Sequence, residues 1–517
     1  MRKISLSKKK KVLSKTAKIV ISASLAGLIA LFSTAVALYS NYHVYETTVV
    51  SPTCESNGYT ETVCKICHKL ERTNYTHSLG HIWDEIKVTK KPTELDFGEQ
   101  SKNCKRCNNA YKYPVRPTVD MKVINYSGEA FEVDSTTLSA DGTLAFYDGK
   151  SEQNFPVTLT YLETANGRYA KHDIYFTFYT SASREKKKEV SLIDGYASSR
   201  WELYANYFDD KNVRADTASE IFRKVRATSG VKPVDSRLDS TFGTVKSEPV
   251  VFYINGVFSG VYQIYVPFTE KSLKVTANDT CAVVRATNNG SQTCFASALT
   301  DEGAWEILYC SSGEEDTQWV YTSFGGFIDF VRKAEPDEFK ARIEKYVDKD
   351  AFIDYMLTVY NLCASENISK NLTFITYDGV IWTPVLFNAD AVLGLDFSGD
   401  ITARETELIP SIREKKDTDG DDFLKIDSDT YSRLFEKMFN AFEKEIKERY
   451  NKVKDTVFSP TVITSIYNSE VKKDDVPTAV YQKEAKTYPR VDTSYNFAGS
   501  VSEFIAMRKN IFTEFFK

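Results

Sequence analysis

Apolar residues follow three different rhythms along this chain. From Ile19 to Leu38 no charge interrupts a run rich in Ala, Leu, Ile and Val. Twenty residues at helical rise cover about 30 Å, the thickness of a bilayer core, so the run predicts a transmembrane anchor or the core of a signal peptide. From about 117 to 190 apolar and polar positions alternate in short runs. These are Met121 to Ile124, Phe131 to Val133, Leu144 to Phe146, Val157 to Tyr161 and, most strongly, His172 to Tyr179. A period of two broken by Gly and Asp predicts strands. Past Phe327 the period lengthens to that of amphipathic helices. One runs through Phe339, Ile343, Tyr346 and Val347 with Asp337 as its cap. The next has Asp350 as its cap and buries Phe352, Tyr355, Met356, Val359 and Cys363. Later helices carry Leu434, Met438, Phe442 and Ile446, then Phe504, Met507, Arg508 and Phe512.

Residues 366–395 interrupt the helical pattern, and the rest of the chain is organised around them. Two short apolar strands meet at Asp378-Gly379, a dipeptide suited to a tight hairpin. Glu366 and Asn371 precede them, and Asn388 and Asp390 follow. A hairpin would fold the second polar pair back onto the first. Acid, amide and acid together suit a divalent cation and an oriented hydroxyl, the requirements of phosphoryl transfer.

Charge adds direction. The 517 residues allow two to four domains, with 66 basic against 71 acidic side chains. Arg2, Lys3, Lys8, Lys9, Lys10, Lys11, Lys15 and Lys18 precede or open the apolar run, and residues 1–40 contain no acid. Without that basic head the formal net charge goes from −5 to −13, which argues against nucleic acid as a partner. Lysines before the run and none just after it predict a cytoplasmic N-terminus. Ala35-Val36-Ala37 also offers a signal-peptidase pattern, so anchor and cleaved signal both stay open. Either exports the remainder, giving a single-pass cell-membrane protein with an extracytoplasmic C-terminal domain, or a secreted or cell-surface one. Residues 1–18 read as the basic head, 19–38 as the anchor or signal, 45–116 as a cysteine region and 118–517 as the main domain.

The cysteine region repeats internally. Pro52-Thr53-Cys54, Gly58, Cys64 and Cys67 recur forty residues later as Pro92-Thr93-Glu94, Gly98, Cys104 and Cys107. The first copy continues to Gly80-His81-Ile82-Trp83. Cys54, Cys64, Cys67 and His81 therefore supply three thiolates and an imidazole, the donor set of a structural zinc site. A disulfide from Cys54 to one of the pair is the alternative in an exported protein. The second copy lacks the first cysteine, and His68 and His77 are rival ligands in the first. The pattern resembles TC…G…CxxC…GH.W repeats of bacterial surface proteins, which implies a spacer or interaction module.

From 190 onward the residues resemble a larger family. Arg200-Trp201-Glu202-Leu203, then Asp209 and Arg214, then a strand into Asn255-Gly256-Val257-Phe258-Ser259-Gly260-Val261-Tyr262 are similar to the spore-coat-protein CotH family of atypical kinases. The acid, four spacers and amide at Glu366 and Asn371 continue the likeness, as does the turn Phe387-Asn388-Ala389-Asp390 through Gly394. The resemblance covers about residues 120–517. It implies a bilobal α+β kinase-like domain using Mg and ATP on a cell-surface or coat protein. Glu366 would be the base, Asn371 and Asp390 magnesium ligands, and Arg200 and Asn388 part of the cofactor site. The family usually carries Asp where Glu366 and Asn388 stand. A methylene moves a carboxylate by about 1 Å, and Asn removes a ligand charge. A catalytically inactive, kinase-like scaffold is therefore the competing reading.

Asp417 to Asp422 places glycine fourth rather than sixth and Ser428 in the twelfth place, so it reads as a solvated loop, not a calcium loop. All five histidines precede the central motifs, which disfavours a Ser-His-Asp hydrolase.

Overall fold

The computed structural model describes residues 14–129, 139–162, 170–230, 237, 244, 246–300, 302–313, 315–395, 432–489 and 497–516. The distal part of the basic head, the run from Phe131 to Val133 and the Asp417 to Asp422 loop lie outside them. Contacts divide the chain into two compact units. The first comprises 1–91 with 98–115, the second 92–97 with 116–517.

In the first unit, helix α1 (Lys15–Asn41) contains a window long and apolar enough to cross a membrane, and that window is exposed throughout. Two antiparallel three-stranded sheets follow. They are β1 (Tyr45–Val50), β2 (Gly58–Cys64) and β3 (Leu70–Thr76), then β4 (Lys87–Lys90), β5 (Gly98–Asn103) and β6 (Ala110–Val115). Few of their side chains are buried, as expected of strands too short to enclose a core.

The second unit mixes strands and helices, an α+β composition. Its strands β7 (Val123–Gly128), β8 (Ser139–Tyr147), β9 (Glu152–Tyr161), β10 (Ile174–Phe178), β11 (Arg200–Tyr204), β12 (Ser247–Ile254) and β13 (Val257–Tyr265) close into a barrel. The period-two pattern explains its interior. Leu144 and Phe146, Val157 and Leu159, and Ile174, Phe176 and Phe178 all turn one face inward onto Trp201, Phe252 and Ile264. Asn255 and Gly256 take φ of 51° and 76°, as the tight β12–β13 turn requires.

After the short helix α3 (Glu270–Leu273), a second sheet runs in the order β15 (Trp305–Cys310), β14 (Ala282–Ala286), β16 (Thr373–Thr376), β17 (Thr383–Val385). Around it lie α2 (Arg214–Ala227), α4 (Gln318–Lys333), α5 (Pro336–Arg342), α6 (Lys349–Leu362), α7 (Arg433–Val453), α8 (Pro460–Asp474) and α10 (Phe497–Phe515), while α9 (Thr478–Thr487) packs on barrel strand β13. An aromatic cluster joins sheet to helices: Trp305 lies 4.5 Å and Trp382 4.8 Å from the Phe324 ring.

Two helix caps differ from the expected ones. Asp348, not Asp350, accepts from Ala351 N at 3.0 Å and starts α6. Glu335 rather than Asp337 precedes α5, because Pro336 fills the first helical position, where a missing N–H costs nothing. Helix α6 is buried from Ala351 to Leu362, not along one face, because α2, α7, α10 and β17 surround it. No disulfide joins any of the nine cysteines, Cys281, Cys294 and Cys310 among them.

Candidate active site

Two polar segments meet where the sequence pattern placed them. Cys363 takes φ of 54° and ends α6, and Glu366 follows on a single 3-10 turn, Ser365–Ile368. On that turn Asn367 Nδ2 donates to Phe387 O at 2.8 Å, while Leu393 N donates to Leu362 O at 2.9 Å. Asn371 Nδ2 reaches Asn388 O at 3.4 Å. Asn371 and Asn388 both adopt left-handed backbone (φ 60° and 47°), a conformation asparagine tolerates better than most residues. The link between β16 and β17 is longer than a two-residue hairpin. Asp378 Oδ1 accepts from Val380 N and Ile381 N, both at 2.8 Å, and Gly379 supplies φ of 72°.

Arg214 anchors the second segment from beneath. Its Nη1 donates to the carbonyls of Val392 and, at 3.3 Å, Leu393. Its backbone N donates to Asp209 Oδ2 at 2.7 Å, and its side chain faces the same carboxylate. Arg214 is therefore a positioning residue.

Negative charge accumulates above this scaffold. Half-buried Asp390 is pushed up to about 7, first by removal from water and then by the charges of Glu366 and Asp173, with Lys370 opposing. Asp173, just before β10, accepts from Ala205 N at 2.7 Å, yet burial pushes it up to about 6. Glu366 Oε1 accepts from Lys370 Nζ at 2.6 Å, so the expected base carries a bound ammonium. Asn388 Oδ1 and both side-chain polar atoms of Asn206 are buried and have no hydrogen-bond partner. Asp390 with its raised carboxyl and the orphaned Asn388 Oδ1 stand two residues apart on one turn, oxygen donors of the kind that suit a hard divalent cation completed by phosphate oxygens.

Arg200 stands on a different wall. It lines a cavity of about 710 Å³ with Glu202, Tyr265, Phe268, Glu306 and Phe387. Its Nη2 lies 2.8 Å from Glu202 and 3.5 Å from Glu306, and its guanidinium covers the Tyr175 ring at 4.0 Å. Arg285 completes the network, 2.5 Å from Glu306 and 2.9 Å from the Tyr204 hydroxyl. Tyr204 stacks on Tyr265 at 4.3 Å, and Phe387 meets both edge-on. Flat aromatic faces and guanidinium groups thus adjoin the Asn388 turn through Phe387.

The model of the CotH kinase protein family matches residues 175–511. The chain belongs to the CotH kinase family. No curated protein matches it. The CotH match contains Glu366, Asn371, Asn388, Asp390, Arg200 and its motif neighbour Glu202, together with three side chains that the sequence motifs do not single out: Arg285, Glu306 and Lys370. Their signals were present. Lys370 lies one helical turn after Glu366, and Arg285 is a lone charge in the apolar strand Ala282–Ala286. Asp173 similarly stands alone before the strand Ile174–Phe178, two residues ahead of the matched span.

The cysteine repeats precede the match, and the structure regroups their ligands. Cys54, Cys64, Cys67 and His81 do not come together as one set. Cys54 and His81 join Cys104 and Cys107, while Cys64 and Cys67 join His43, with ligand atoms in each group within 4.8 Å of one another. The physical reason is strand geometry: β2 and β3 hold Cys64 and Cys67 beside the residues preceding β1, where His43 lies. His68 and His77 belong to neither group. Backbone amides of Cys67 and Ile66 lower the Cys64 thiol to about 6. Burial opposes ionisation of Cys104, but the Arg106 amide and the His81 ring bring it down to about 5. Either group is able to take a metal ion.

Proposed function

We propose that this CotH-family chain is an exported, membrane-proximal Mg-ATP-dependent phosphotransferase acting on cell-surface or coat protein. Asp390 beside the orphaned Asn388 Oδ1 carries this reading. An anionic oxygen and an unpartnered amide oxygen two residues apart on a half-buried turn would be stabilised by a cation. Asp390, Asn388 and Asn371 would hold magnesium, and the cation would neutralise phosphate charge. Arg200 and Arg285 would face the phosphates, with Tyr265, Phe268 and Phe387 offering their faces to the base. Glu366 would orient the acceptor hydroxyl and take its proton, with Lys370 fixing the position of its carboxylate. The barrel and the helix-backed sheet would act as the two lobes. Helix α1 would anchor the chain or direct its export, leaving Cys54 onward outside.

A scaffold that retains the fold without transfer is favoured by two observations: the Lys370 ammonium already seated on Glu366, and an uncharged Asn388. Heating the protein with ATP and Mg²⁺ separates the readings. Phosphotransfer chemistry requires a raised Tm, and a nucleotide-blind scaffold leaves it unmoved.

The pH response has a defined sign. Asp390 must lose its proton to accept a cation, a loss opposed first by burial and then by Glu366 and Asp173, and helped by Lys370. With its carboxyl near pH 7, apparent Mg-ATP affinity should rise about ten-fold from pH 6 to pH 8. The same raised carboxyl stabilises the nucleotide-free fold at low pH. That contribution is lost as pH climbs from the ordinary carboxylate range through about 7. The ATP-induced rise in Tm should therefore grow with pH, and a flat profile would remove Asp390 from the ligand set.

Zinc is the ion we propose for the two cysteine–histidine groups, because mixed thiolate and imidazole donors suit it better than magnesium or calcium.

A further inference from the structure

Hydrogen bonds define where each cysteine repeat begins. Cys64 N donates to Lys69 O at 3.0 Å, and Cys104 N to Asn109 O at 2.9 Å. Thr53 N donates to Ser56 O, and Thr93 N to Asp96 O, both at 3.0 Å. Lys65 N then donates to Val44 O at 2.8 Å, and Lys105 N to Ile82 O at 2.7 Å. The last pair makes Val44 the counterpart of Ile82, and so His43 the counterpart of His81. Each repeat opens with a histidine and an aromatic residue two places on, Tyr45 or Trp83. His81, which trails the first C-x2-C in sequence, is the first residue of the second repeat.

The ligand groups obey this phase with a single exception. His43 meets Cys64 and Cys67 of its own repeat, and His81 meets Cys104 and Cys107 of its own. Cys54 alone crosses over, its Sγ lying 3.8 Å from Cys104 Sγ. In the second repeat the equivalent position is Glu94.

We propose that the repeats form an interlocked pair of zinc sites, each repeat supplying a histidine and a C-x2-C to its own ion and the first repeat lending Cys54 to the ion of the second. This rests on the zinc reading given above. The second site is then closed, with Cys54, His81, Cys104 and Cys107 as four tetrahedral ligands. Among the described residues the first site has three ligands, His43, Cys64 and Cys67, and keeps a fourth position for another ligand. Residues 1–42 contain no Cys, His, Asp or Glu to fill it. With two thiolates and a neutral imidazole the open site has no net charge once zinc is bound, so an anionic ligand, a thiolate or carboxylate, is the class it would accept. Glu94 fits the same logic, since the next 23 residues to Pro117 carry no third histidine-led repeat for it to serve.

Orientation supports both sites. His81 presents Nδ1 to Cys107 Sγ at 3.5 Å, and its Nε2 lies 3.4 Å from the Glu55 carboxylate. Glu55 in turn accepts from Asn109. A carboxylate behind the ring holds Nδ1 free to bind metal. His43 presents the same atom, Nδ1, at 3.4 Å to both Cys64 and Cys67. Arg106 N also donates to Cys104 Sγ at 3.4 Å, a contact that favours thiolate. His43 and Cys67 are exposed beside the buried Cys64, whereas none of Cys54, His81, Cys104 and Cys107 is exposed, in keeping with a more accessible first ion.

The full chain, purified in detergent without chelator and kept reduced, should contain two zinc ions by elemental analysis. A chromophoric chelator should strip one quickly and one slowly. Cys54→Ser should abolish the slow phase and leave the fast one. Cys64→Ser with Cys67→Ser should abolish the fast phase and leave the slow one. If Cys54→Ser instead removes the fast ion, zinc is present but the cysteine serves its own repeat, and the interlocked arrangement is wrong. If the unreduced chain holds no zinc and its repeat cysteines resist alkylation until reduced, the zinc reading and the interlock fail together.

Discussion

Asp354→Ala should lower the unfolding free energy of the second unit by about 3–5 kcal/mol, the usual result of breaking a buried ionic network from one side. Asp354 sits on α6 with 1% of its surface exposed. Burial would push its carboxyl up, and Arg449 and Arg226 counter that. Arg226 Nη1 lies 2.8 Å and Arg449 Nε 2.5 Å from its oxygens. Arg449 also donates to the carbonyls of Val225 and Thr228, tying α7 to the end of α2. Removing the carboxylate leaves two guanidinium groups facing each other with little water. The urea midpoint should fall with little change in slope, and an unchanged midpoint would mean that solvent already reaches the network.

Arg214→Met should have a comparable effect on stability, about 3–5 kcal/mol, and a further one on function. The variant strands Asp209, 3% exposed, and removes the donors from the Val392 and Leu393 carbonyls. The turn carrying Asn388 and Asp390 then loses its anchor. At temperatures where the variant is still folded, its Tm should no longer respond to Mg-ATP. Arg214→Lys should recover part of the stability but not the loop geometry, because one ammonium cannot replace a planar fork. A normal nucleotide response in Arg214→Met would show that the turn is held by its other contacts alone.

Local rules made much of this molecule readable from its residues. The barrel strands were visible because one face of each is buried, which imposes the alternation seen in Leu144 to Phe146 and Ile174 to Phe178. The approach of Glu366 and Asn371 to Asn388 and Asp390 was visible because a short strand pair separates them. What escaped depended on long-range placement. Asp173 and Lys370 converge on Asp390 from segments far apart in sequence, and nothing local to either reveals the meeting. The ligand exchange between cysteine repeats escaped for a different reason. The copies were aligned on Pro-Thr and C-x2-C, so His81 fell at the end of one unit, whereas strand pairing assigns it to the start of the next. In α6 the pattern showed one apolar face, but Asp354 and Asn361 on the other sides are buried too, satisfied by partners from α2 and α7 or by the backbone of α6 itself.

Calorimetric titration of ATP with Mg²⁺ at pH 8 into the native protein and Asp390→Asn tests the central claim most directly. The substitution removes a charge that burial, Glu366 and Asp173 oppose, so at pH 8 the variant should fold with a Tm at or above the native one. The native protein should bind only when Mg²⁺ is present, and Asp390→Asn should lose that binding. Absence of binding by the native protein, or equal binding by Asp390→Asn, would contradict a magnesium-nucleotide site at this turn.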